Sequence, residues 1–380
     1  MQHKKVIIME NPFVLVGKIK PAYFCDRKEE SERMVRQVTN GANVVLISPR
    51  RLGKTGLIDF CFEKPQIKQH YQTIFIDILR TSSLNEFTYL LGRSVFDTLG
   101  RRSQKMMKRI VATMRSLSGS FGYDPINGMP TFDIRLGDIT NPEYTLEEIF
   151  TCIEQADKRC IIAVDEFQQI CNYPEKNIEA LLRTHIQRST NANFIFSGSE
   201  RHLMGNMFLD SARPFYNSAD VMMLSPIPEE KYLAFVKQHF DESGRQVDDE
   251  AVLNAYQAIE GNTYYLQKIF HDIYACLDTG ATLQISHVDE ALQRLIGENH
   301  QKYSEILSRL SLSQKELLYA IAEEGHARSI TSANFIHRHH LKSASSIQAA
   351  TKKLLEYHIL SIEAGTYYIE DQLMRRWLMQ

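Results

Sequence analysis

The octapeptide SPRRLGKT at 48–55 constrains what this chain can fold into more than any other segment. It follows Asn43-Val44-Val45-Leu46-Ile47, a β-branched run of the kind buried in a parallel sheet, and it precedes a helical stretch. In that context a G-x-x-x-x-G-K-[ST] loop cradles phosphate. Its small residues let backbone N–H groups turn inward, and the next helix points the positive end of its dipole at the anion. Gly53, Lys54 and Thr55 keep the pattern, with Gly56 just beyond. Lys54 is expected to reach the β- and γ-phosphates and the Thr55 hydroxyl to ligate Mg²⁺, so the expected ligands are ATP or ADP with Mg²⁺. Pro49, Arg50, Arg51 and Leu52 fill the loop, and Ser48 replaces its first glycine. Serine tolerates a positive φ less well than glycine, which makes Ser48 the expected weak point of the loop.

A bare GKT occurs by chance, and the context gives it weight. Apolar runs at 71–79, 160–164 and 193–196 alternate with helical segments. That alternation predicts an α/β domain, a three-layer parallel sheet of the P-loop NTPase kind. The run CIIAV ends on Asp165 and Glu166, carboxylates placed at the sheet edge where a bound Mg²⁺ would lie. Asp165 is the expected metal-side group and Glu166 the one that orients or deprotonates the attacking water. The plainer alternative is that both cap the next helix. Ser197 or Ser199, ending the fourth run, is expected either to contact the γ-phosphate or the water, or to be only a polar strand terminus. Hydrolysis also needs positive charge at the γ-phosphate. Arg213 is the candidate, with Arg183 and Arg201 behind it, and a surface ion pair is the alternative for each.

With 380 residues and 43% hydrophobic content, the chain can build two or three cores. The expected domains are 1–227, with an insertion at about 101–141; a helical lid at 228–304, punctuated by Gly244, Gly261 and Gly280; and a winged helix at 305–380. The insertion opens on a basic stretch whose Met106, Met107, Ile110, Val111 and Met114 recur at helical spacing, the mark of an amphipathic surface helix. The last domain is expected to open on a capping box at Ser313 and to close on a hairpin within HILSIEAGTYYIED. A formal net charge of −2 gives no global reason to bind nucleic acid or an anionic membrane. No stretch approaches the ~20 apolar residues of a membrane span. Six scattered cysteines without a CxxC pair read as reduced, buried thiols of a cytoplasmic protein.

In the winged helix, the segment 345–357 turns Ile347, Ala350, Thr351, Leu354 and Leu355 to one face and Gln348, Lys352 and Lys353 elsewhere. DNA and a protein partner are equally expected there. His337, His339 and His340 have no carboxylate or cysteine at ligand spacing, so no metal is expected among them.

Together these segments resemble the archaeal-type ATPases of the STAND division, relatives of AAA+ proteins, over nearly the whole chain. Phe24 to Glu30 is similar to the family's F-x-x-R-x-x-E element and SPRRLGKT to its G-x-R-R-x-G-K-[ST] loop. VDEFQQI, FIFSGS, ARPFY, GNTYYLQ and the D-x-x-x-x-x-W ending on Trp377 continue the likeness. The resemblance implies a nucleotide-dependent switch, able to assemble with nucleotide, whose adenine sits near Tyr23 and Arg27. It also implies a nucleotide-sensing role in the lid for Thr263 and Tyr264. Thr263 departs from the family's usual proline, as Ser48 departs from its glycine.

Overall fold

The structure, a computed structural model, describes residues 10–100, 103–123, 130–132 and 134–380. The chain forms two compact units. One runs from Lys18 to Ser225, and the other joins the described residues up to Gly17 with Pro226–Gln380.

The first unit is built on five parallel strands: β1 (Val44–Ile47), β2 (Gln72–Asp77), β3 (Cys160–Asp165), β4 (Ala192–Gly198) and β5 (Asp220–Met223). Their order across the sheet is β2-β3-β4-β1-β5. Every residue of β1, β3 and β4 is buried, so these strands read as continuous apolar runs. Alternate side chains feed two cores. Val44, Leu46, Ile161 and Ile195 pack with Met34, Val38, Leu57 and Ile58 from the helices Lys28–Thr39 and Lys54–Glu63. On the other face Val45, Ile47, Ile162, Val164 and Phe196 pack with Leu91, Ile149, Leu182 and Met204. This is the expected three-layer α/β architecture.

Four strands were legible as apolar runs, whereas β5 was not. It lies at an edge and only Met222 of its four residues is buried. In the insertion, Ser103 caps the helix Gln104–Thr113, which buries Met106, Met107 and Ile110. Residues 101–102, 124–129 and 133 of that expectation lie outside the described residues. The segment that follows is held by Glu148, a buried carboxylate that accepts the Arg115 and Ser116 N–H groups at 2.9 and 3.1 Å.

In the second unit, the helices Glu229–Glu242, Asp249–Ala258, Thr263–Cys276 and Ile285–Ser308 form the lid. Its aromatic core has a centre that sequence reading missed. Phe13 is fully buried, with ring centroids 5.7–5.8 Å from Phe235, Phe240, Phe270 and Tyr274. Asn11 holds it there by donating to the His271 carbonyl at 3.0 Å.

The winged helix opens at Ser311, which caps the helix Leu312–Glu324 in a capping box with Gln314. The cap therefore lies two residues ahead of the expected Ser313. Its wing has three strands: β6 (His326–Arg328), β7 (Leu360–Glu363) and β8 (Thr366–Ile369), in the order β6-β8-β7. Asp371 fastens this domain to the lid. It accepts from the Tyr265 and Tyr303 hydroxyls at 2.7 and 3.2 Å while capping the helix Gln372–Leu378.

No disulfide joins the six cysteines. Four are buried as expected, but Cys171 is half-buried and Cys276 is exposed. Among the described residues no helix is long and apolar enough to cross a membrane.

Candidate functional site

Because β4 lies between β1 and β3, the carboxyl ends of three strands converge. Open parallel sheets bind ligands at such a place. From β1 the chain enters the loop at Ser48, fully buried, whose N–H reaches the Gly198 carbonyl at the end of β4 at 3.3 Å. Positive φ falls on Arg51 (68°) and Gly53 (88°), not on Ser48. The expected weak point is therefore absent, since serine replaces glycine at a position that does not need left-handed backbone. The strain sits at Arg51 instead, at roughly 1–2 kcal/mol for a residue with a Cβ.

Lys54, which opens the helix Lys54–Glu63, is 6% exposed and turns back on the loop. Its Nζ donates to the carbonyls of Ser48 and Pro49 at 3.3 and 3.4 Å. Arg27, 4% exposed, supports the loop from beneath, donating to the Leu52 carbonyl at 3.0 Å and the Ser225 carbonyl at 2.9 Å. Phe24 stacks on Phe60 of that same helix at 4.1 Å, and Tyr23 ends the turn Pro21–Tyr23 just before it. The Gly56 Cα faces Ile19 and Phe24, where a Cβ would make only ordinary contact.

Across the sheet, Thr55 Oγ1 donates to Asp165 Oδ2 at 2.8 Å. Asp165 Oδ1 accepts the Ser197 hydroxyl and the Glu166 N–H. Glu166 leaves β3 in left-handed backbone (φ 54°), and its side chain does not cap the turn Phe167–Asn172. It accepts from Ser199 Oγ at 2.6 Å. The two serines at the end of β4 thus meet one carboxylate each, and the helix-capping alternative fails for Glu166.

One member of this edge was missed. Asp77 ends β2 in register with Asp165. Burial, and then the fields of Asp165 and Glu166, push its carboxyl above the usual range, while the Leu79 N–H at 2.9 Å pulls it down. Asp59, on the helix after the loop, is raised in the same way, by burial first and by Glu63 and Asp165 behind it, against Lys18. The signal for Asp77 was present in YQTIFIDIL, a buried run ending on a carboxylate beside a second such run. Four carboxylates gather here, and their repulsion favours a bound cation.

The Thr55 hydroxyl and Asp165 carboxylate offer the hard oxygens that suit Mg²⁺. Among the described residues, no group of three His, Cys, Asp or Glu side chains is placed to hold a metal by itself. Mg²⁺ held by one or two protein oxygens together with phosphate oxygens needs no such group.

Arg213 is held elsewhere. It donates to Glu179, whose side chain is 13% exposed, and lies 3.6 Å from Cys171 Sγ. Burial raises the Glu179 carboxyl, and Arg213 lowers it. Arg183 and Arg201 lie in the helices Ile178–Arg188 and Arg201–Leu209. Thr263 and Tyr264 open a lid helix in the second unit, where Asn262 caps it and Tyr264 is exposed.

The family described as "ATPase domain predominantly from Archaea" matches residues 24–269. The chain belongs to this family. Residues 301–380 match a probable winged helix domain. Among solved structures the chain is similar to the Walker-type ATPase PABY2304 of Pyrococcus abyssi, with a TM-score of 0.67 and 18% identity over 97% of this chain and 100% of that one. It is also similar to the ORC2 protein of Aeropyrum pernix, solved in ADPNP–ADP complexes, with a TM-score of 0.59 and 12% identity over 97% and 96%. The ORC1 protein of the same organism, solved in complex with DNA, gives 0.52 and 12% over the same shares. At these identities the likeness is one of fold. No curated protein matches.

Proposed function

We propose that this chain binds ATP with Mg²⁺ and hydrolyses it as a STAND-type, AAA+-related cytoplasmic switch. The observation that carries this reading is the 2.8 Å hydrogen bond between Thr55 and Asp165. It joins the loop's last residue to the strand-end carboxylate 110 positions away, the pair that holds the cation in P-loop ATPases. In this reading Lys54 exchanges the Ser48 and Pro49 carbonyls for β- and γ-phosphate oxygens. Pro49 to Gly56 line the phosphates, with Arg50 and Arg51 adding charge. Mg²⁺ bound by Thr55 and Asp165 neutralises charge on the phosphates. Glu166 orients and deprotonates the attacking water, and Ser197 keeps Asp165 in place. An arginine supplied by a second copy, Arg213 by preference, completes the site in a nucleotide-dependent oligomer once its pair with Glu179 opens. Tyr23 and Arg27 bound the adenine, and Thr263 and Tyr264 of the lid report nucleotide to the winged helix. The three-domain division at 227 and 304 belongs to the same reading.

Phosphate release tests it. Glu166→Gln is expected to bind Mg·ATP like the wild type and to release phosphate at no more than about a hundredth of its rate. Equal rates would reject the assignment of Glu166.

The winged helix favours a second reading, a DNA-binding regulator whose nucleotide site is structural. Against it, part of the domain's positive charge is already neutralised. Arg338 pairs with Glu324, Lys353 with Glu356, and His339 faces Glu323 and Glu324. The same surface suits a protein partner.

A further inference from the structure

We propose that Gln168 and Ser199 are positioning residues that fix the Glu166 carboxylate, and that Arg50 ties this bracket to the phosphate loop. The inference rests on the reading of Glu166 as the group that orients the attacking water.

Three donors converge on a single oxygen of Glu166. Oε2 accepts from Ser199 Oγ at 2.6 Å, from the Ser199 N–H at 3.4 Å and from Gln168 Nε2 at 2.5 Å. Oε1 has no hydrogen bond among the described residues. A carboxylate held through one oxygen cannot exchange its two oxygens by rotation, so the one left to accept from a water is fixed in advance. Such preorganisation separates a base that is merely near its water from one aligned with it.

The local structure is built around this bracket. Gln168 is 1% exposed, and its Oε1 is an acceptor with no partner among the described residues. The other end of the same amide is the arm on Glu166. Gly198 makes room for it. A Cβ there would stand 2.4 Å from Gln168 Oε1 and 2.5 Å from Met204 Cγ, so only glycine lets the amide lie against β4. This accounts for the glycine in FIFSGS. Ser197 lies near the end of β4 and Ser199 one residue beyond it, and each reaches its own carboxylate.

The bracket also touches the loop. Arg50 Nε donates to Ser199 Oγ at 3.4 Å while that hydroxyl donates to Glu166. The Gly198 carbonyl accepts the Ser48 N–H. When phosphate draws Arg50 away, the Ser199 hydroxyl loses the donor that polarises its bond to Glu166. Loop occupancy thereby sets how firmly the carboxylate is held.

The test uses the full chain and two variants, Gln168→Met and Ser199→Ala. Each is expected to lower kcat for Mg·ATP by about tenfold to a hundredfold, with ADP affinity by calorimetry within about twofold of wild type. Arg50→Met is expected to lower kcat less than either. Unchanged kcat in both variants overturns the proposal, and so does a loss of ADP binding that matches the loss of kcat. A thermal-unfolding double-mutant cycle between Glu166→Gln and Gln168→Met separates this proposal from the reading beneath it. Non-additive midpoints are expected, and additive ones overturn the bracket whether or not ATP is turned over. A wild-type chain without turnover rejects the role read for Glu166, and the cycle alone then decides the bracket.

Discussion

The carboxyl edge of the parallel sheet and the winged helix both gather charged side chains, but they treat them in opposite ways. At the sheet edge, Asp59, Asp77, Asp165 and Glu166 crowd together, and the Asp59 and Asp77 carboxyls are raised by burial first and by the charge of Asp165 behind it. Lys54 Nζ donates to the Ser48 and Pro49 carbonyls of the loop. In the winged helix, some cations and anions find each other: Arg338 with Glu324 and Lys353 with Glu356. An edge where carboxylates crowd is poised for an outside cation. A surface that neutralises itself has less to offer a polyanion. Geometry therefore supports the nucleotide site more strongly than a DNA site, although both domains match known families.

The largest effect expected from this contrast is at Thr55. Thr55→Val removes the hydroxyl shared with Asp165, and nucleotide affinity should fall by about tenfold or more and stop responding to chelation of Mg²⁺. A variant that keeps the wild-type response in calorimetry would break the comparison. Next comes Asp371, which accepts from Tyr265 and Tyr303 within the second unit. Asp371→Ala removes a helix cap and strands the Tyr265 and Tyr303 hydroxyls, at a cost of about 2–4 kcal/mol read by urea unfolding. A change within about 0.5 kcal/mol, the error of additivity, would show those bonds to be idle.

A smaller effect is expected from pH. Burial pushes Glu154 up, but hydrogen bonds from Ser189, Thr190 and Asn191 outweigh it and hold the carboxyl below the usual range. Its contribution is present above the ordinary glutamate range and is lost as pH falls through the folded value. Asp59 and Asp77 have the opposite sign: raised in the fold, they favour it at low pH and lose that contribution as pH rises through their folded values. Glu154→Gln should flatten the acid limb of a thermal-midpoint profile, and an unchanged limb would assign that limb to other groups. The smallest effect concerns DNA. Among the described residues, Arg309, Lys315, Arg328, Lys342, Lys352 and Arg376 stand outside the ion pairs but are spread over separate elements, so retention of duplex DNA should be weak, with a salt slope of magnitude about 2 or less. A slope near six would show that these cations act together on one DNA-binding face.

How legible each part was in the sequence follows from how local its cause is. The phosphate loop and CIIAVDE carry their own strand, turn and polar ends within a few residues. Asp77 and Gln168 depend on strand register and on a close approach at Gly198, which no local pattern reports. Phe13 is similar, since its neighbours lie more than 220 positions away. The strand β5 escaped because an edge strand with one buried side chain carries no apolar run. Ser311 was passed over because the serine two residues later also begins a plausible box. The role of Ser197 shifted for the same reason as Asp77: only the sheet order brings it onto Asp165.

The central claim is that the loop at 48–55 holds the phosphates of a Mg²⁺-bound nucleotide through Lys54. Calorimetric titration of Mg·ATP into the wild type and Lys54→Ala tests it most directly. The account predicts saturable one-site binding by the wild type and a loss of about a hundredfold or more in the variant, the effect of removing a charge-assisted contact from a buried anion site. Equal binding by the two proteins would contradict it.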